Sequence, residues 1–127
     1  MKKLLILLFS ILISFNSYGG WTEFTKSVDG NTYFLNYDSI NKHDGLVYYW
    51  EMGNNLIPTK GGILSSQVYL VVECGINRFK FLSFTHFKQS MGNGESFTNT
   101  EENPQWDYGS VGSVREAITK EVCNFAN

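Results

Sequence analysis

After an apolar run from Leu4 to Ile13, the hydrophobic positions settle into short alternating stretches separated by turn-forming residues. "YFLNYDSI" and "LVYYWEM" are rich in aromatic and β-branched residues, and the segment Asn41 to Gly45 between them ends in Asp-Gly, a dipeptide that accepts positive φ. The pattern predicts a hairpin with a five-residue connection. "SSQVYLVVEC" and "RFKFLSFTHF" form a second candidate pair around Gly75-Ile76-Asn77. "WTEFTKSV" reads as an opening strand that runs into the turn signal Asp29-Gly30-Asn31. From Lys88 to Asp107 the chain is polar and rich in Gly and Asn, which predicts a long irregular excursion.

The period then changes. Ser113-Val-Arg-Glu116 has the spacing of a capping box, and Val114, Ala117, Ile118 and Val122 recur at helical intervals. A helix from Val114 to Val122 follows. At about 100° per residue Cys123 falls opposite Val114, so the helix is expected to unwind before Cys123. One helix and five or six strands in hairpin order predict an α+β domain: an antiparallel sheet with the helix packed on one face. Alternation puts Ser66, Val68, Leu70, Val72 and Cys74 on one side, toward the helix layer.

The first residues change the compartment. Lys2 and Lys3, the apolar run, and the small residues Ser17 and Gly19 make residues 1–19 a secretory signal peptide, with cleavage expected between Gly19 and Gly20 and residues 20–127 as the exported domain. The run is too short to span a bilayer, and no second one follows. In an oxidising compartment the lone pair Cys74 and Cys123 favours a disulfide over a metal site or a reactive thiol, the alternative being two unpaired buried thiols. Of ten basic residues two lie in the leader, and the rest face twelve acidic ones with no dense basic cluster. A nucleic-acid partner is therefore not expected.

Candidate chemistry adds little. His43 and Asp44 are adjacent, so their side chains cannot converge on one reacting atom as a base and its orienter must, and Asp44-Gly45 suits a turn. His86 lies within a predicted strand as a structural histidine, and two histidines with oxidised cysteines leave no ligand set at zinc spacing. "PTKGG" and "MGNGES" lack P-loop spacing, and Glu101-Glu102 reads as a solvated loop pair. The residues point to no enzyme, no metal and no cofactor. Aromatic residues make up 16% of the chain and occupy both sides of "LVYYWEM", more than one helix can cover. Ranking by size puts Tyr48 and Trp50 against the helix and leaves Val47, Tyr49 and Glu51 as a candidate partner or dimer interface.

Taken together, "YDSI", Trp50 after the turn, Cys74 closing a strand, Met-Gly-x-Gly at Met91 to Gly94, Trp106 before a Gly-Ser turn, and Cys123 near the end resemble the surface-adhesin protein E family over essentially all of residues 20–127. The resemblance implies a sheet of about six antiparallel strands, a C-terminal helix tethered to it by the disulfide, and attachment to host matrix proteins such as vitronectin or laminin. A family adhesin resembles a lipoprotein held through an acylated cysteine, whereas this chain has Gly20-Trp21 at its expected mature start and no lipobox cysteine. The expectation is an exported, non-catalytic binding module at the cell surface, secreted or in the periplasm. The alternative is a periplasmic structural or housekeeping envelope protein acting through a homodimer or assembly interface.

Overall fold

The computed structural model describes residues 17–127. An antiparallel sheet runs in chain order through β1 (Ser17–Tyr18), β2 (Trp21–Lys26), β3 (Thr32–His43), β4 (Leu46–Asn54), β5 (Ser65–Glu73), β6 (Arg78–Phe87) and β7 (Ser96–Thr100). A two-residue strand, β8 (Asp107–Tyr108), pairs with the start of β6, and the helix α1 (Val114–Ala126) closes the chain. Every pairing is antiparallel, so each short connection returns the chain beside the strand it has just left. The leader read over residues 1–19 lies largely outside the described residues.

The β3–β4 connection is tighter than the sequence suggests. His43 pairs with Leu46, and the turn is Asp44-Gly45 alone, with φ of 52° and 80°. Those paired positive φ values match the right-handed twist of the flanking strands, so Asn41, Lys42 and His43 join the ladder. Farther along β3 the register jumps: four residues, Tyr37 to Ile40, stand opposite Tyr49 alone. Ser39 holds this bulge, its hydroxyl donating to the Asn36 carbonyl at 2.6 Å and accepting from the Trp50 N–H at 2.9 Å.

Two corrections concern the second half of the chain. The excursion from Lys88 to Asp107 contains strand β7, all of whose residues are exposed, preceded by a 3₁₀ turn at Ser90–Gly92. An edge strand with no face to bury leaves no alternating signal. The helix, in turn, continues through Cys123 to Ala126 instead of unwinding. Its buried stripe is Ile118, Thr119, Val122 and Cys123, one turn on from Arg115, while Val114 lies at the stripe's edge. Cys123 therefore meets Cys74 from within a regular helix, with Cα atoms 5.8 Å apart in the disulfide. At the start of the helix the Ser113 hydroxyl accepts the Glu116 N–H at 3.1 Å, and Glu116 reaches back to the N–H of Gly112 instead of that of Ser113.

Register decides which residues share a side. Val47, Tyr49 and Glu51 align with Val72, Leu70 and Val68 of β5, and these align with Phe79, Phe81 and Phe84 of β6. This is the side α1 covers: Val47, Tyr49, Leu70, Val72, Ile118 and Val122 are at most 1% exposed. The expected assignment of "LVYYWEM" is thus reversed. Val47, Tyr49 and Glu51 are sealed beneath the helix and form no free interface, while Tyr48 and Trp50 lie on the uncovered side. Size alone misleads because a tyrosine is easily buried when its hydroxyl finds a partner, as Tyr49 does.

Candidate functional site

The helix-covered side holds a buried polar cluster that ties α1 to β4. Arg115 meets Glu51 in a two-pronged ion pair, Nη1–Oε1 and Nη2–Oε2 both at 2.6 Å. The Tyr49 hydroxyl donates to Glu51 Oε1 at 2.7 Å and accepts from Arg115 Nη1 at 3.2 Å. The guanidinium also lies 5.3 Å from the ring centres of Phe79 and Phe81. Burial, and then the charge of Glu51, push the Tyr49 hydroxyl well above its ordinary range. Burial alone would lower the pKa of Arg115, but the hydrogen bonds and charge of Glu51 more than reverse this and keep it protonated. A second tie lies farther along the helix: the Tyr37 hydroxyl donates to Glu121 Oε2 at 2.7 Å, and its ring packs 5.0 Å from that of Phe125. Tyr49 and Glu51 are buried and only the Arg115 side chain is partly exposed, so the cluster ties the helix to the sheet.

The histidines are placed as the sequence suggests. His43 and Asp44 form an exposed contact of 3.2 Å at the hairpin tip, with side chains 71% and 87% accessible and, among the described residues, no third group engaged. His86 Nδ1 bonds the Ser66 hydroxyl at 2.7 Å, with its ring between those of Phe84 and Phe97. Among the described residues no carboxylate engages the other ring nitrogen, the place of an orienting group in nucleophilic catalysis. Among the described residues no group of three His, Cys, Asp or Glu side chains is arranged to hold a metal ion.

The uncovered side carries the exposed recognition chemistry. Trp50 packs against Tyr69 with ring centres 4.9 Å apart, and Tyr48 stacks on the same Tyr69 at 6.1 Å. All three are half-buried. Beyond them, Trp106 lies under two cations, Arg78 at 4.3 Å and Lys80 at 4.4 Å from its ring centre. Arg78 is held in turn by Glu73 at 2.7 Å. The far end is shut by the 3₁₀ turn: Met91 N–H donates to Asn54 Oδ1, Gly92 N–H donates to Ser65 Oγ, and Met52 and Phe34 are buried there. Gly92 has φ of 70°, a conformation that favours glycine, and a side chain added there would have to displace the amide end of Gln67, 2.6 Å away. What remains open is a row of packed aromatic rings, with a cation-flanked tryptophan beside it. Rigid, half-buried aromatics of this kind are enriched where proteins meet. Sequence reasoning missed Tyr69 and Trp106 as members of this surface and Arg115 as the partner of Glu51. Strict alternation within β5 opposite Leu70 was the available signal for Tyr69.

The comparisons with known proteins agree with this architecture. The chain is similar in structure to Haemophilus influenzae protein E in its crystal form II, with a TM-score of 0.64, 13% identity, and 84% and 89% of the two chains covered. It is likewise similar to protein E from non-typeable Haemophilus influenzae, with a TM-score of 0.60, 11% identity, and 88% and 84% covered. At such identities the likeness concerns the fold. A comparison with curated protein sequences returned no match. The family model for surface-adhesin protein E matches residues 21–124, which takes in the whole sheet from β2 onward, both cysteines and nearly all of α1, and the chain belongs to that family.

Proposed function

We propose that this protein is an exported, non-catalytic binding module that attaches to another protein through the uncovered side of its sheet. The observation that carries the reading is the packed row Tyr48, Tyr69 and Trp50, half-buried on a side that α1 does not reach, in a member of an adhesin family. Aromatic anchors of this kind contribute most to protein association when a partner excludes water from around them. The most polar cluster, Glu51–Arg115–Tyr49, is largely buried and supports a structural role in place of a catalytic one. Residues 1–19 serve as the export signal. Of the described elements, cleavage after Gly19 would remove β1 alone, whose register covers Ser17–Thr22 and Tyr18–Trp21.

The partner class proposed is a host matrix protein such as vitronectin or laminin, by family. Purified residues 20–127 should bind one of these proteins immobilised on a sensor surface, and fractionation of the source cell should find the protein accessible from outside. Confinement to the periplasm, with no binding to either matrix protein, would instead leave the domain as an envelope component that pairs through the same side.

A further inference from the structure

A second site lies on the helix-covered side, next to the place where Arg115 of α1 comes within 5.3 Å of the Phe81 ring centre. Strands β7 and β8 pair with the same edge of β6, at Ser83 to Phe87 and at Arg78 to Phe79, and the chain between them must arch over the gap. The Glu101 N–H anchors the arch to the Leu82 carbonyl at 2.9 Å. Beneath it is an open groove of about 270 Å³ lined by Phe81, Phe84, Glu101, Asn103 and Gln105. The floor is two phenylalanine rings with centres 5.2 Å apart, and the rim is one carboxylate and two side-chain amides. Among the described residues the Glu101 side chain takes part in no ion pair, and its one hydrogen bond is a long 3.5 Å contact from the Asn103 N–H. Arg115, whose guanidinium lies 5.3 Å from the Phe81 ring centre, is already engaged by Glu51.

We propose that this groove binds an organic cation, a guanidinium or an alkylammonium group, with Phe81 and Phe84 beneath it and Glu101 as its counter-ion. A cation within about 6 Å of an aromatic ring centre is attracted to the ring face, and two rings this close can serve one cation. The volume falls just below the roughly 300 Å³ at which sites for whole small molecules begin, which suits one charged group and not a large ligand. The cation belongs either to a free small molecule or to an arginine or lysine side chain of a protein partner. The site is separate from the aromatic row of the proposed function, and neither depends on the other.

The test is a nuclear magnetic resonance titration of residues 20–127, following the amides of 101–105 and the ring protons of Phe81 and Phe84. The probes are choline, its neutral isostere 3,3-dimethylbutanol, the blocked tripeptide Gly-Arg-Gly, and the same tripeptide with citrulline. Saturable shifts with a charged probe and none with its neutral counterpart are expected. Saturation by choline assigns the groove to free cations, and saturation by the arginine peptide alone assigns it to a partner's side chain. Glu101→Gln, at an exposed position, should leave the rest of the spectrum unchanged and weaken binding about three- to tenfold. Equal shifts from neutral and charged probes, no shifts from any probe, or full affinity in Glu101→Gln would overturn the proposal.

Discussion

Replacing Arg115 with methionine is the sharpest perturbation of the fold, because it removes one half of an ion pair whose other half is nearly inaccessible. Glu51 has a side chain only 4% exposed, whereas that of Arg115 is 20% exposed. Removing one partner of a buried pair leaves an uncompensated charge, at about 3–5 kcal/mol. The partial exposure of Arg115 lets water approach, and methionine keeps some packing on Phe79 and Phe81, which places the expected loss near the lower bound, about 3 kcal/mol. For a domain of this size that corresponds to a fall in melting temperature of about 12 °C or more. Glu51→Gln in the same background removes the stranded charge and keeps an acceptor for the Tyr49 hydroxyl, so the double variant should recover at least half of the loss. Urea unfolding followed by circular dichroism, with the disulfide intact, gives the four corners of the cycle. A single-variant loss under about 1 kcal/mol, or a double variant whose loss is the sum of the two singles, would refute the view that this cluster holds the helix to the sheet.

Tyr49→Ala should destabilise the domain by about 3–5 kcal/mol, since it empties a fully buried site, whereas Trp50→Ala should cost less because its ring is only half-buried; a chemical-denaturation series ranks them. Cys123→Ser opens a loop of 49 residues, whose closure stabilises by about 4 kcal/mol in the chain-entropy picture, and hydrogen exchange should show the amides of α1 losing protection before those of β4 and β5. Burial and the bond to Glu121 push the Tyr37 hydroxyl up to about 12. The sign follows from the raised value: its stabilising effect is complete below the unfolded value of about 10 and is lost as pH rises through 12. Tyr37→Phe should therefore flatten the alkaline limb of a stability profile between those limits.

The strands from β2 to β6 were legible because each has one side to bury, which writes an alternating pattern into the chain, and Asp-Gly and Gly-Ile-Asn marked their turns. Strand β7 was not, because "SFTNT" is exposed throughout and pairs through its backbone. The faces of "LVYYWEM" depend on register against β5, where Val47 meets Val72 and Tyr49 meets Leu70, and a single strand carries no register. Ranking aromatics by size filled that gap wrongly. The extension of the helix past Val122 was missed for a related reason. Arg115 belongs to the buried stripe but reads as a surface residue until its partner Glu51, 64 residues away, is known. Two lone cysteines in a chain read as exported, in contrast, left few alternatives, and the disulfide between Cys74 and Cys123 forms as expected.

The central claim is that the uncovered side of the sheet makes the contact with a protein partner, and mapping that contact tests it most directly. Hydrogen–deuterium exchange and side-chain resonance shifts of residues 20–127, recorded free and in complex with the matrix protein it binds, should concentrate on Tyr48, Trp50, Tyr69 and Trp106. The exposed side of α1 should be unchanged. Trp50→Ala and Tyr69→Ala should each weaken the complex at least tenfold while remaining folded. A footprint confined to α1 or to the His43-Asp44 tip, with full affinity in both variants, would contradict the claim.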